Sequence, residues 1–122
     1  MNKDKLNWRL PDKEELVLMY ENLHKKDIGG FADDYYWSSS EGFSSNAWYQ
    51  SFYFGYQNIY YKISFIRVRA VRFFNSNEDF EIGQETATGY VFAILGNTVF
   101  ECKKEDEPKE MDWHEAMRTF GA

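Results

Sequence analysis

The chain is poor in several residues that small domains use to hold themselves together or to do chemistry. It has one cysteine, Cys102, and two histidines, His24 and His114. An internal disulfide is therefore excluded, and one thiol with two imidazoles is too small a set for a structural zinc site. Cys102 itself reads as a small, half-buried strand residue. Only two prolines interrupt the 122 residues, and no run approaches the roughly 18 apolar residues a membrane-spanning helix needs. The first residues, Met1 to Trp8, are polar and lack the apolar stretch of a secretory leader, which places synthesis in the cytoplasm.

Positive charge is also scarce. The net charge is −6, which argues against a general nucleic-acid binder, since such a protein needs a basic face. The one basic stretch is Phe43 to Arg72, which sums to +4 while every other charged region is negative. The acidic cluster Glu105, Asp106, Glu107 and Glu110 lacks the spacing of a calcium loop and reads as a solvated face. Ser38, Ser39 and Ser40 have no nucleophile-elbow context, and His24 sits at the end of a surface helix. Nothing in the sequence points to an enzyme, a metal or a cofactor.

What is abundant is aromatic side chain. Of 24 aromatic residues, ten fall in the 24 positions from Phe43 to Ile66. The rest of the chain already supplies a core: Leu16, Met19, Leu23, Trp37, Val68, Val71, Val91, Phe92 and Trp113. Adding every aromatic and branched residue of 43–66 to that core would overpack a domain of this size. Some of these rings are therefore expected at the surface, as an interaction patch.

Periodicity sketches the elements. Asp12 and Glu15 form a capping-box pattern, and Leu16, Met19, Tyr20 and Leu23 recur at helical spacing, so LPDKEELVLMYENLHKK reads as a helix stopped by Gly29 and Gly30. YYWSS and AWYQSFY read as short strands, and RVRAVRFF as a core strand with Val68 and Ala70 on one side and Arg67 and Arg69 on a cationic other side. The stretch 75–89 is polar and acidic, like a linker or surface loop. GYVFAILGNTVFECKK reads as a hairpin turning at Gly96-Asn97. Asp112 with Glu115, followed by Trp113, Ala116, Met117 and Phe120, predicts a second short amphipathic helix.

The string NWRLPDKEELVLMYENL, then YYWSSSE, AWYQ and RVRAVRFF, resembles the family named for the C-terminal domain of a bacterial collagen-like protein. Within it the chain is most similar to variable proteins of diversity-generating retroelements from gut bacteria and their phages. The resemblance covers about Asn7 to Phe74. It implies an α+β, C-type-lectin-like fold with a short twisted antiparallel sheet and two short helices, and a fixed scaffold that includes the Trp37 to Glu41 string. Between scaffold residues it implies ligand-binding, diversified positions: Tyr49, Ser51, Tyr53, Phe54, Tyr56, Asn58, Ile59, Tyr60, Tyr61, Ile63, Phe65 and Ile66, with Phe43 and Asn46 at the margin. Lys62, carried on the same stretch, is expected to meet a ligand. Arg67, Arg69 and Arg72 are expected to serve as structural partners of carboxylates such as Glu41, with a cationic rim as the alternative.

In the family's order a tryptophan-bearing helix precedes the WRLP segment, whereas here MDWHEAMRTF lies near the C-terminus. This implies a circular permutation, since joining the ends would put Trp113 and Trp8 seventeen positions apart. The expected organisation is a core over 1–74 carrying the variable segment 43–66, a linker over 75–89, and a hairpin plus helix over 90–122. That last part would complete the same domain in cis, or by exchange between two copies of a homo-oligomer. The implied function is non-catalytic recognition of a protein or glycan on a cell surface, without nucleic acid or membrane insertion, from a phage particle or a bacterial surface. A fixed lectin-like adhesin and a structural tail or pilus subunit are the rival readings.

Overall fold

The computed structural model describes residues 7–121. It is an α+β arrangement of two helices and two small three-stranded antiparallel sheets. The first sheet is a meander of β1 (Tyr35–Glu41), β2 (Asn46–Ser51) and β3 (Gln57–Tyr61). The second contains β4 (Val71–Asn75), β5 (Gly89–Leu95) and β6 (Thr98–Lys103) in the order β4-β6-β5. Helix α1 (Lys13–Asn22) precedes the sheets and α2 (Trp113–Phe120) follows them.

The capping box is formed in full at α1. The Asp12 carboxylate accepts from the Glu15 N–H at 2.8 Å and the Glu15 carboxylate accepts from the Asp12 N–H at 2.9 Å, so two otherwise orphaned donors are satisfied. The helix is shorter than its periodicity suggests. It closes at Asn22, and His24–Lys26 continue as a single 3₁₀ turn ended by left-handed Asp27, φ 58°. At α2 the Asp112 side chain caps in the same way, accepting from the Glu115 N–H at 2.8 Å.

Sequence alternation places residues on the two faces of the first sheet. One face, with Tyr36 and the adjoining Phe52, packs with Leu16, Met19 and Leu23 beneath α1, together with Phe31, Val71, Phe92 and Cys102. The other face, with Trp37, Ala47 and Tyr49, packs against Ile66, Val68, Ala70, Met111 and the apolar side of α2. All nine residues expected in the core are buried. Two indoles lock α2 and its approach to β1: Trp37 Nε1 donates to the Met111 carbonyl and Trp113 Nε1 to the Ser38 carbonyl, each at 2.9 Å. The Leu10 N–H donates to the Phe120 carbonyl at 3.1 Å, so the two ends of the described chain lie side by side.

The expectation for RVRAVRFF needs correction. Its strand begins only at Val71, and 67–70 is the connection between the sheets, joined to β1 by the Trp37 N–H to Arg67 carbonyl bond. Val68 and Ala70 are buried as alternation requires, and Arg69 on the other side is buried too, at 1% exposure, as a structural partner of a carboxylate rather than part of a cationic rim. The reason is that the guanidinium finds every partner indoors. It donates to Asp106 at 2.8 Å, to the Gly29 carbonyl at 2.7 Å and to the Lys103 carbonyl at 3.1 Å, and lies over the Phe31 ring. Arg72 likewise meets Glu101, which is fully buried and also accepts from the Thr86 and Thr88 hydroxyls.

Those threonines belong to the stretch read as a linker. It lies against β5, with the Gly83 N–H donating to the Val91 carbonyl and the Val91 N–H to the Gln84 carbonyl. At its start Phe80 packs edge-on to Phe74. Gly96-Asn97 turns the β5-β6 hairpin, Gly96 having φ 60°.

Replacing Arg69 by methionine keeps the bulk but strands Asp106 without its closest cation. Loss of about 3 kcal/mol or more is expected in denaturant unfolding, the usual penalty for breaking a buried pair. Cys102 is fully buried rather than half-buried, and burial pushes its thiol up to about 11. Because the folded state holds this proton more tightly than the unfolded chain, stability should be unaffected below about pH 8.5 and fall between there and 11. The difference between the wild type and C102A, followed against pH, isolates the thiol's share of that fall.

Candidate functional site

The uncovered part of the first sheet is an aromatic surface. Register places Trp37 opposite Tyr49, Tyr49 opposite Asn58, and Ala47 opposite Tyr60, all on the face that α2 covers only in part. Tyr35, two residues before Trp37, joins them. The Tyr35 and Tyr49 rings lie 4.3 Å apart, Tyr49 and Tyr60 5.6 Å, and Tyr35 and Tyr60 meet edge to face at 6.0 Å. Tyr56 continues the row beside Tyr49, then Phe54 stacks near Tyr56 and Tyr53 packs on Phe54. Such offset and edge-on contacts add to each ring's burial energy and hold the rings in fixed orientations.

The phenols are joined as well. The Tyr35 and Tyr56 hydroxyls are 3.1 Å apart. This bond shifts the Tyr56 hydroxyl down and the Tyr35 hydroxyl up. Burial raises the Tyr49 hydroxyl above the ordinary tyrosine range. Beside this group the Arg67 guanidinium donates to Asp34 at 3.0 Å, adding one half-exposed ion pair to the edge of the rings. The surface therefore offers large apolar faces, hydroxyls able to donate or accept, and a salt bridge.

The sequence-derived positions divide into two groups. Tyr53, Phe54, Tyr56, Asn58, Tyr60, Tyr61, Ile63 and Phe65 are exposed. Phe43, in the connection between β1 and β2, is 74% exposed, and the Asn46 side chain accepts from its N–H. Of the ten aromatic residues in 43–66, seven are exposed, Trp48 is half-buried, and only Tyr49 and Phe52 are buried.

Tyr49, Ser51 and Ile66, in contrast, are interior and cannot themselves form a contact surface. Tyr49 is the floor on which Tyr35, Tyr56 and Tyr60 rest. Ser51 builds the turn that projects Tyr53 and Phe54, its hydroxyl accepting from the Phe54 N–H at 3.0 Å and its carbonyl from the Gly55 N–H at 2.9 Å. Gly55 completes that turn at φ 86°, where a Cβ would also meet the Tyr20 ring at 2.8 Å. Ile66 exchanges backbone hydrogen bonds with Met111 and belongs to the α2 core. Ile59 is half-buried on the opposite face, against Gly42.

Lys62 is also displaced from its expected role. Only 5% exposed, its ammonium donates to Glu41 at 2.5 Å and to the Ser44 carbonyl at 3.0 Å, and lies 4.5 Å from the centre of the Trp113 ring. The Trp113 N–H donates to the Lys62 carbonyl, which draws that residue under α2. A desolvated ammonium needs a carboxylate, and Glu41, expected beside an arginine, provides it. The arginines use Asp34, Asp106 and Glu101 instead.

The Trp37 to Glu41 string is structural throughout. The Ser38 hydroxyl donates to the Trp48 carbonyl at 2.6 Å, the Ser39 N–H to the Pro11 carbonyl, and the Ser40 hydroxyl accepts from the Lys13 N–H. His24 pairs with Asp33 at 2.7 Å, away from these serines. Among the described residues no group of three or more His, Cys, Asp or Glu is placed to hold a metal ion. Tyr35 was missed by the sequence reading, although its two-residue spacing from Trp37 was the available signal.

Comparison with known proteins gives no relative: no family model matches the chain, and no curated protein or solved structure is significantly similar to it.

The exposed rings and the floor beneath them should separate by mutation. Tyr53→Ser, Phe54→Ser and Tyr61→Ser are each expected to change the unfolding free energy by no more than about 0.5 kcal/mol. Tyr49→Ala should cost about 3 kcal/mol, because it opens a cavity under three other rings. Urea unfolding of the four variants checks both.

Proposed function

We propose that this chain is a non-catalytic recognition domain of C-type-lectin-like type, binding a cell-surface macromolecule through its aromatic face. The observation that carries the reading is that seven of ten aromatic residues within 43–66 are exposed, Tyr60 and Tyr61 in β3 and the other five in the connections around the first sheet, whose packing rests on buried neighbours. Tyrosine and phenylalanine give large contact areas at little rotamer cost, and serine and asparagine adapt their hydrogen bonding, which is the composition antibodies use. Exposed apolar side chains gathered together, as Tyr53, Phe54, Tyr56 and Tyr60 are, mark interaction sites.

The proposal extends to variability. Eight positions of 53–65 are exposed while Lys62 within it, and Tyr49, Ser51 and Ile66 on either side, are buried, so side chains can change at the first set while the second keeps the frame. The adjacency of Leu10 and Phe120 supports the permuted arrangement, because a chain whose ends touch can be reopened elsewhere without altering its packing. The scaffold roles of Trp37, Ser38, Ser40 and Glu41 support the resemblance on which this reading draws.

The test randomises Tyr53, Phe54, Tyr56, Asn58, Tyr60, Tyr61, Ile63 and Phe65 together in a displayed library. Most clones should retain cooperative thermal unfolding, whereas randomising Tyr49, Ser51 and Ile66 should leave few. Comparable losses in the two libraries would refute the proposal. Flanking DNA gives an independent check: a reverse transcriptase gene and a near-copy differing at adenines are expected, while a fixed adhesin would have neither.

A further inference from the structure

Helix α1 is apolar on more sides than its packing uses. Leu16 and Met19 face the core, yet Val17 and Leu18 point outward, 38% and 39% exposed. A helix covering a core on one side ordinarily carries polar residues on the other. The nearby hairpin repeats the anomaly, with Ile94 partly exposed and Leu95 74% exposed beside a turn where polar residues are usual.

Leu18, Ile94 and Leu95 border one groove. It runs between α1 and the β5-β6 hairpin, encloses about 510 Å³, and has an apolar lining from Leu18, Ile82, Phe92, Ala93, Leu95 and Phe100. It lies on the α1 side of the first sheet, opposite the face that carries Tyr49 and Tyr60. A molecule seated in it would leave the aromatic surface free.

The charge at the groove's helix side indicates what fits. Asp12, Glu14 and Glu15 stand there. Arg9 neutralises Glu15 through two contacts of 2.7 and 2.6 Å. The N-terminus of α1 contributes the equivalent of roughly half a positive charge. Asp12 and Glu14 have no ion pair among the described residues, so this wall remains negative. A second copy of the chain is a poor occupant, because a two-fold contact would bring the same carboxylates towards each other in a protein of net charge −6.

We propose that the groove docks a cationic amphipathic segment of a carrier protein, its apolar side on Leu18, Leu95 and Phe100 and its Lys or Arg side chains against Asp12 and Glu14. Helix-in-groove binding of this kind takes its affinity from a few apolar anchors and its orientation from the charges. The inference is independent of what the aromatic face binds. It gives the domain an attachment side and a recognition side.

The test titrates the isotope-labelled protein with a model helical peptide of leucine and lysine at amphipathic spacing, followed by amide NMR. Saturable shifts are expected at Leu18, Ala93, Leu95 and Phe100. Leu18→Ser with Leu95→Ser should weaken binding roughly tenfold or more, equivalent to the loss of one buried leucine contact. Glu14→Gln should weaken it several-fold and flatten its salt dependence. The same peptide with glutamate for lysine should not bind. A variant carrying Tyr53→Ser, Phe54→Ser and Tyr61→Ser should bind the lysine peptide unchanged, which separates this site from the recognition surface. The proposal is overturned if binding does not saturate by millimolar peptide, if the shifts map to Tyr56 and Tyr60, or if the glutamate peptide binds equally. Concentration-dependent shifts at Leu18 and Leu95 without peptide would overturn it in favour of self-association.

Discussion

The first sheet is desolvated unequally on its two faces, and most of the molecule's organisation follows from that. Helix α1 covers one face, burying Tyr36 and Phe52. On the other, α2 reaches Trp37, Ala47 and part of Tyr49, then stops. A helix of eight residues is about 12 Å long, too short to cover three strands along their length. What lies past its reach stays open to solvent, and this sequence places tyrosines there.

A second constraint holds the pieces together. The connections between sheets and helices are irregular, so their register depends on charged groups that join distant segments. Arg69 joins the glycine turn after α1 to the loop after β6, and Arg72 joins β4 to β6 and the threonine loop. Lys62 joins the β1-β2 connection to the start of α2. Each is largely or wholly desolvated and satisfied by several acceptors, the condition under which a buried charge is tolerable. Every positive residue of 43–72 that sequence could have assigned to a ligand is engaged in this way, and only Arg67 keeps substantial exposure. The basic balance of that stretch reflects internal carboxylate partners supplied by other parts of the chain.

Local signals were legible where local chemistry decides the outcome. The capping box at Asp12, the N-cap at Asp112, the hairpin at Gly96-Asn97 and the nine core residues could all be read from spacing. RVRAVRFF was misread because alternation reports which side chains are buried without saying whether their backbone pairs with a neighbouring strand. Arg69, expected as the partner of a carboxylate such as Glu41, is such a partner but of Asp106, because position along the chain does not say which acid folds against a given cation. Lys62 failed for the same reason, its partner Glu41 lying 21 positions away. At the aromatic site the sequence identified the segment but not its depth: Tyr49, Ser51 and Ile66 differ from their exposed neighbours through register and turn geometry, not composition.

That distinction bears on how a surface can change while its support does not. In β3 the residues facing the tyrosine row, Asn58 and Tyr60, alternate with Ile59, and the backbone ladder to β2 is indifferent to which side chains the strand carries. Outside strands the same tolerance requires a turn fixed by its own hydrogen bonds, as Ser51 and Gly55 fix the one bearing Tyr53 and Phe54. The interior residues of the segment are thus the ones that determine where the exposed rings stand. Tyr49 touches two of those rings, Tyr56 and Tyr60, and the half-buried Tyr35 while keeping almost no surface of its own, so a change there would move the tyrosine row, whereas a change at Tyr53 replaces one contact.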